Sequence, residues 1–445
     1  MRAYMYSYPH KSTYGELNLN LFDYFKGSPS EPLTLYVHLP FCNSRCGYCN
    51  LFSVTGQNNI IDDYLDAIQK QIEQYSERIN LKYVNNIVIG GGSPLVLSDK
   101  QLERLFKILP NVGDAEKTPI CIEASPLDTT PEKVTILKEF NVQRVSLGVQ
   151  SFLDIELRLL KREHMSDSVY KALELLFVQY NFPIVNIDLI YGLPLQIEKS
   201  VLHSLEKAIS YNPTEIYLYP LYVRKGTKLE GMQTTSPVHL WNAGFKYLKD
   251  ANYLAKSMRR FVRHEEQNRQ NNEVKNSVGQ FLARSNKTCG FEKTIALGCG
   301  GRSYLENLHF CSPYSTDEKE CLKTIHKFIQ TKDFSKITHG ILLNTDELKR
   351  RYIISNLLHV NGLSLAAYLQ LFGTDVVRDF PILNMLVTGY YARLSSDGYI
   401  KLTHAGLASS DEIGPMFISP DMAEKMSLDP NRLSKIIKKA SKGLL

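Results

Sequence analysis

Short apolar runs rich in β-branched and aromatic residues recur along the first half of the chain. They fall at Leu35–His38, Asn86–Ile89, Ile120–Glu123, Arg144–Val149, Val185–Ile190 and Ile216–Tyr219. Helical patterns separate them. Between the first two, Ile61, Leu65, Ile68, Ile72, Tyr75 and Ile79 recur every three or four residues, which predicts one apolar face of an amphipathic helix. Strand–helix alternation repeated six times predicts parallel strands joined by crossover helices, an α/β fold of the open or partial (βα)6 barrel type.

The rhythm is absent elsewhere. Residues 1–33 are polar and aromatic without a period and read as an arm. Residues 258–288 are polar and highly charged, the pattern of a mobile surface insertion within a core spanning 34–340. Helical patterns return at Glu347–His359, Leu365–Phe372 and Phe380–Leu394, followed by Asp397-Gly398 between alternating residues, a hairpin signal. Helices followed by a hairpin suggest a small helical, winged-helix-like module over 341–415. Residues 416–445 form a basic tail, read as a solvated end rather than a membrane or nucleic-acid anchor.

Composition narrows the class. Of 445 residues, 43% are apolar and 22% charged, an ordinary globular balance, and a net charge of +6 is too mild to imply nucleic acid. No stretch approaches the roughly 18–20 apolar residues of a membrane span, and MRAYMYSYPHK lacks the apolar centre of a secretory signal. A cytoplasmic protein with reduced cysteines is expected, so clustered cysteines point to a metal or redox site.

Such a cluster exists. FCNSRCGYCN carries Cys42, Cys46 and Cys49 directly after the first strand-like run. A closed zinc site needs a fourth ligand. His38 lies inside that run, and Cys121 is far off in another. A redox pair of Cys46 and Cys49 leaves Cys42 without a task. The third reading is an iron–sulfur cluster in which one iron lacks a protein ligand and stays open to a cofactor. Gly47 would let the loop turn tightly, and Arg45 would set positive charge near an anionic cluster. The other strand-like runs end in polar groups as well. Gly90-Gly91-Gly92-Ser93-Pro94 follows the second without the Gly-Lys-Ser/Thr of a phosphate loop. Glu123, Gln150 and Asp188 lie at or near the ends of the third, fourth and fifth. Together they would line one rim, where barrel folds place their chemistry.

YVHLPFCNSRCGYCNLF, GGGSP, IEASP, RVSLGVQSF and NIDLIYGLP, in this order, resemble the radical S-adenosylmethionine enzymes of the oxygen-independent coproporphyrinogen III oxidase-like family. The resemblance runs from about Leu35 to Pro194 and more weakly into DGYIKLTHAGLASSDEI. It implies a partial barrel with a helical C-terminal domain, and a [4Fe–4S] cluster on Cys42, Cys46 and Cys49 whose free iron binds S-adenosylmethionine. Tyr36 and Tyr48 match positions flanking the cofactor. Gly91, Gly92 and Ser93 match the segment meeting its methionine end, and Glu123, Gln150, Arg162 and Asp188 match positions binding the rest. The implied activity is reductive cleavage to a 5′-deoxyadenosyl radical that abstracts hydrogen from a substrate. The implied partners are a flavodoxin- or ferredoxin-like electron donor and a small-molecule substrate, with a tetrapyrrole among the candidates.

The pattern departs from coproporphyrinogen oxidases proper at Leu51, where those enzymes carry a further cysteine. Haem-chaperone-like and methyltransferase-like branches share the apolar residue. The arm, SMRRF and LGCGGRSY are most similar to a branch whose substrate is unassigned. Arg259, Arg260 and Arg302 are candidates to face a carboxylate-bearing substrate. Tyr4, Tyr6, Tyr8 and Tyr14 are candidates for a lid or for plain packing. Cys121, Cys289, Cys299, Cys311 and Cys321 match no cluster spacing and read as inert thiols, with Cys299 the one to watch.

Overall fold

A computed structural model describes residues 7–25, 32–110, 118–223, 226–232, 237–264, 292–428 and 430–444. Its centre is six consecutive parallel strands: β1 (Leu33–Leu39), β2 (Val84–Gly91), β3 (Ile120–Ala124), β4 (Val142–Gln150), β5 (Ile184–Tyr191) and β6 (Glu215–Pro220). Each contains one of the six apolar runs. Val37, Ile89, Ile122, Val145 and Val185 sit side by side across the first five strands, and all are buried. This continuous apolar row is what a parallel sheet covered by helices requires.

The crossover helices follow from local chemistry. Helix Ile61–Ser76 buries Ile61, Leu65, Ile68, Ile72 and Tyr75, and places Asp62 and Asp63 at its positive N-terminal end. Helix Asp99–Ile108 opens with a capping box between Ser98 and Gln101, and helix Pro131–Glu139 opens with a Thr130 cap before Pro131.

The six strands form the middle of a 13-stranded sheet. Beyond β1 lie Lys293–Leu297, parallel to it, and then antiparallel Ser303–Leu305, Leu308–Phe310, Lys336–Leu342 and Gly15–Asn20. Beyond β6 lie antiparallel Arg260–Arg263 and Tyr253–Ala255. The strands at the two ends of the order do not pair with each other, so the barrel stays open.

Four expectations are corrected here. The arm is part of the sheet, because Gly15–Asn20 pairs with Lys336–Leu342 some 320 residues later. Alternating polar residues with one exposed face hide such an edge strand from a hydrophobicity scan. The expected insertion begins with a sheet strand, Arg260–Arg263, in which Arg260 is buried and Arg263 half-buried. Residues 265–288 of it lie outside the described residues. Phe380–Leu394 is not one helix: Ile382–Thr388 is helical, Tyr390 takes φ +64°, and Ala392–Leu394 is a strand.

A second hydrophobic cluster gathers around helices Thr345–Leu357 and Ile382–Thr388. The hairpin of Ala392–Leu394 and Tyr399–Leu402 turns at Gly398, with φ +77°, and Leu363–Ser364 adds a third strand. Met416, Phe417, Ile418 and Met422, expected in a solvated tail, are buried in this cluster, and so is Ala440 of helix Pro430–Ala440. Tyr8 belongs to it too and donates to buried Glu347. No helix among the described residues is long and apolar enough to cross a membrane.

Candidate functional site

A cavity of about 530 Å³ lies at the C-terminal ends of β1–β6, within the roughly 300–1,000 Å³ range of cofactor sites. Strands β3–β6 reach it directly, and β1 and β2 through the loops that follow them. Cys42, Cys46 and Cys49 come from the loop after β1, and Gly92 and Ser93 from the end of β2. Glu123 comes from β3, Gln150 from β4, Asp188 from β5 and Tyr219 from β6.

The cysteine loop is tied to its neighbours at short range. Gly92 N–H donates to the Leu39 carbonyl at 2.7 Å and Ser93 N–H to that of Phe41 at 2.8 Å. A Cβ at Gly92 would lie 2.4 Å from the Phe41 oxygen and 2.8 Å from Cys42 Sγ. One at Gly90 would lie 2.6 Å from the Glu123 carboxylate. Gly91, at φ +119°, donates its N–H to that carboxylate at 3.2 Å. The glycine triplet therefore makes room for the site's own thiol and carboxylate, whereas the sequence suggested room for a ligand. Gly47 likewise serves close packing: its N–H bonds the Leu160 carbonyl at 2.8 Å, and a Cβ there would press on Leu229.

Burial pushes the Cys42 thiol up to about 12, and the neighbouring Cys49 and Cys46 push it further in the same direction. Cys49 is also raised by burial. Three mutually repelling thiolates in one buried pocket need a shared cation to become ligands together. Among the described residues no three His, Cys, Asp or Glu side chains converge on a point for a single metal ion. A single zinc draws its donors to about 2.3 Å from one point, whereas a cluster takes each thiolate on a different iron. The three thiols around a common cavity fit the cluster better. His38 is no fourth ligand: it sits in β1 away from the cavity, and its Nε2 bonds the Phe52 carbonyl at 3.0 Å.

The carboxylates are unusual. Glu123 opens onto the cavity, yet desolvation by the protein around it holds its carboxyl above the ordinary range, only partly opposed by the Gly91 N–H. Burial raises Asp188 to about 7, although Asn186 donates to it at 2.7 Å. Gln150 adopts φ +71°, a conformation L residues rarely take, at a position lining the cavity. Arg162 reaches in from beyond helix Asp154–Leu159 and donates to Cys46 Sγ at 2.9 Å and to the Gly148 carbonyl at 2.8 Å. Of the residues matched by resemblance, Tyr48, Gly92, Ser93, Glu123, Gln150, Arg162 and Asp188 line the cavity, but Tyr36 and Gly91 do not. The Tyr36 ring lies 6.0 Å from that of His38.

Several residues were missed by sequence reasoning. Asp128 binds both Asn43, at 2.7 Å, and Ser93, at 2.5 Å, joining the cysteine loop to the β2 and β3 ends. Its only signal was its place shortly after IEASP. His164 lines the cavity beside Arg162. Tyr314 lines it too, donating to the Asn50 carbonyl at 3.2 Å and packing against His10 and Lys11 of the arm.

The arm contributes Ser7, His10 and Lys11 to the cavity wall, while Tyr8 and Tyr14 are buried and Tyr4 and Tyr6 lie outside the described residues. Arg302 lines the cavity, but Arg259 and Arg260 do not. Arg259 pairs with Asp411 and Tyr222, and Arg260 with Glu215, all buried or nearly so. Tertiary partners far away in sequence account for that difference. Cys121, Cys299, Cys311 and Cys321 are free, buried and outside the cavity, and Cys289 lies outside the described residues.

Residues 36–208 match the family described as the radical SAM superfamily. The chain is 32% identical over 207 residues to the heme chaperone HemW of Bacillus subtilis, covering 46% of this chain and 54% of that protein. It is 30% identical over 230 residues to HemW of Buchnera aphidicola, covering 50% and 60% respectively. It is 27% identical over 347 residues to the oxygen-independent coproporphyrinogen III oxidase of Escherichia coli, covering 74% and 72%. The chain thus spans little more than half the length of the HemW relatives. Among solved structures, coproporphyrinogen III oxidase (HemN) from Escherichia coli superimposes with a TM-score of 0.76, covering 93% of this chain and 96% of that one at 23% identity. That likeness establishes a shared fold.

Proposed function

We propose, from the match of residues 36–208 to the radical SAM superfamily, that the chain is an enzyme holding a [4Fe–4S] cluster and S-adenosylmethionine in the strand-end cavity. Bound together, those two groups supply a 5′-deoxyadenosyl radical for hydrogen abstraction. The protein's own residues prepare the place. Cys42, Cys46 and Cys49 would ligate three irons and leave the fourth open. Gly92 and Ser93 lie next to Cys42 and would meet the amino-acid end of the cofactor. Glu123 and Asp188 would offer acceptors to its hydroxyls and amine, and Tyr48, Gln150 and Arg162 complete the lining. The observation carrying this reading is three thiols and the polar groups of the strand ends around one cavity.

The substrate would meet the part of the cavity wall that the arm, Arg45 and Arg302 line. A flavodoxin- or ferredoxin-like donor in the cytoplasm would supply electrons. A second reading is a haem- or tetrapyrrole-binding delivery protein. Leu51 favours it: this apolar side chain is 44% exposed and lines the cavity, and the HemW relatives are named heme chaperones. A methyltransferase on the same scaffold has no such support in the cavity.

The test is anaerobic reconstitution with iron and sulfide, then dithionite and S-adenosylmethionine, with 5′-deoxyadenosine quantified. Product is expected from the wild type and none from Cys46→Ala. Retained cluster and product in Cys46→Ala would sink the proposal. A loaded cluster without product, together with stoichiometric haem uptake, would move the assignment to the delivery reading.

A further inference from the structure

Arg162 is held by more than its charge. After helix Asp154–Leu159 the chain turns through Lys161 at φ +52°, and Arg162 N–H closes back on the Leu157 carbonyl at 2.9 Å. The guanidinium then meets four acceptors. Its Nη1 lies 2.9 Å from Cys46 Sγ and 3.5 Å from the Tyr48 hydroxyl. Its Nη2 lies 2.8 Å from the Gly148 carbonyl and 3.3 Å from His164 Nδ1.

His164 is itself anchored. Its Nε2 lies 3.2 Å from the Val149 carbonyl, which can only accept, so Nε2 carries the proton. The bare Nδ1 lone pair then faces the guanidinium as an acceptor. Gly148, Val149 and His164 together fix the plane of the fork and point its other nitrogen at the sulfur. The imidazole is buried.

We propose that Arg162 is a built-in hydrogen-bond donor to the Cys46 sulfur, that His164 is the positioning residue that aims it, and that the pair eases the entry of an electron into the cluster Cys46 would ligate. The inference rests on the cluster reading above. The reason is electrostatic: a cationic N–H donor on a thiolate withdraws charge from the iron–sulfur unit and favours its more negative, reduced state. Contact with the cofactor nucleoside does not require a donor aimed at a cysteine.

The experiment compares the reconstituted wild type with Arg162→Gln, Arg162→Lys, His164→Ala and His164→Asn. Iron content and the midpoint potential are followed by electron paramagnetic resonance. S-adenosylmethionine is left out, so a lost nucleoside contact cannot produce the shift. At fixed solution potential, Arg162→Gln is expected to lower the ratio of reduced to oxidised cluster about tenfold, equivalent to about 59 mV for one electron. Arg162→Lys keeps the charge without the fork and should fall between, and it carries the test if Arg162→Gln does not load. His164→Ala should shift the potential in the same direction by less. His164→Asn should restore it, because its amide oxygen can replace Nδ1. Fully loaded Arg162 variants with the wild-type potential would overturn the inference and leave the cluster reading standing. A wild type that takes up no iron would overturn both.

Discussion

One barrel carries carboxylates at both ends of its strands, and they meet opposite fates. At the N-terminal end, Glu215 begins β6 between two arginines. Arg144 Nη2 lies 2.8 Å from it, Arg260 pairs with its other oxygen, and Arg144 also donates to Cys121 Sγ at 3.0 Å. Burial alone would raise Glu215, but Arg260 and Arg144 outweigh it and hold the carboxyl down at about 2. Toward the C-terminal end, Glu123 opens onto the cavity and Asp188 is half-buried, neither in an ion pair among the described residues, and desolvation by the surrounding protein raises both. The first arrangement completes itself and needs nothing further. The second leaves acceptors facing a cavity, a cost to the empty fold that a bound ligand's donors would relieve. Stability is therefore invested at one end of the strands and binding at the other, the division barrel folds generally show.

The largest effect should come from breaking the completed network. Glu215→Gln leaves Arg144 and Arg260 buried without their counter-charge and should cost about 3–5 kcal/mol in denaturant unfolding. The group also carries a pH signature. Its folded pKa lies below the unfolded value, so its contribution is present above about pH 4.5 and is lost as pH falls toward about 2. That acid-side loss should be weaker in the variant. A cost below about 1 kcal/mol would erase the contrast between the two ends.

Asp188→Asn should act in the opposite direction. The folded pKa near 7 exceeds the unfolded value of 3.8, so the folded state keeps a proton that the unfolded chain has released. The wild type should then lose stability as pH rises from about 4 to about 7 and level off above. The variant should lack this slope and be more stable at pH 8, by on the order of 1–3 kcal/mol, while binding S-adenosylmethionine more weakly. Thermal melts at pH 4, 6 and 8 would show it, and parallel slopes in both proteins would refute it.

The smallest effect should come from Ser93→Ala at the rim. It removes the hydroxyl that Asp128 accepts, yet Asn43 still donates to that carboxylate. About 1 kcal/mol should be lost, together with faster protease cutting in the cysteine loop. Unchanged cutting would mean that Asp128 does not tether the loop.

The six strands were legible because the runs are short, rich in β-branched and aromatic residues, and separated by helical patterns. Their order follows because short right-handed crossovers leave few alternatives. The rim was legible for the same reason: once the strand ends are located, so are Cys42, Glu123, Gln150 and Asp188. Arg259 and Arg260 were not. A guanidinium reads the same in a sequence whether it faces a substrate or a buried carboxylate, and Asp411 lies 152 residues from Arg259. Gly15–Asn20 was hidden because an edge strand keeps one face in water.

Local pattern thus determined the elements, the cysteine loop and the face of the barrel that carries chemistry, since periodicity and spacing act over a few residues. Only the tertiary structure decided which charges are compensated. It alone set His164 behind Arg162, Asp128 against the cysteine loop and the arm on the cavity wall. Those outcomes depend on distances between segments that the chain brings together only when its core closes.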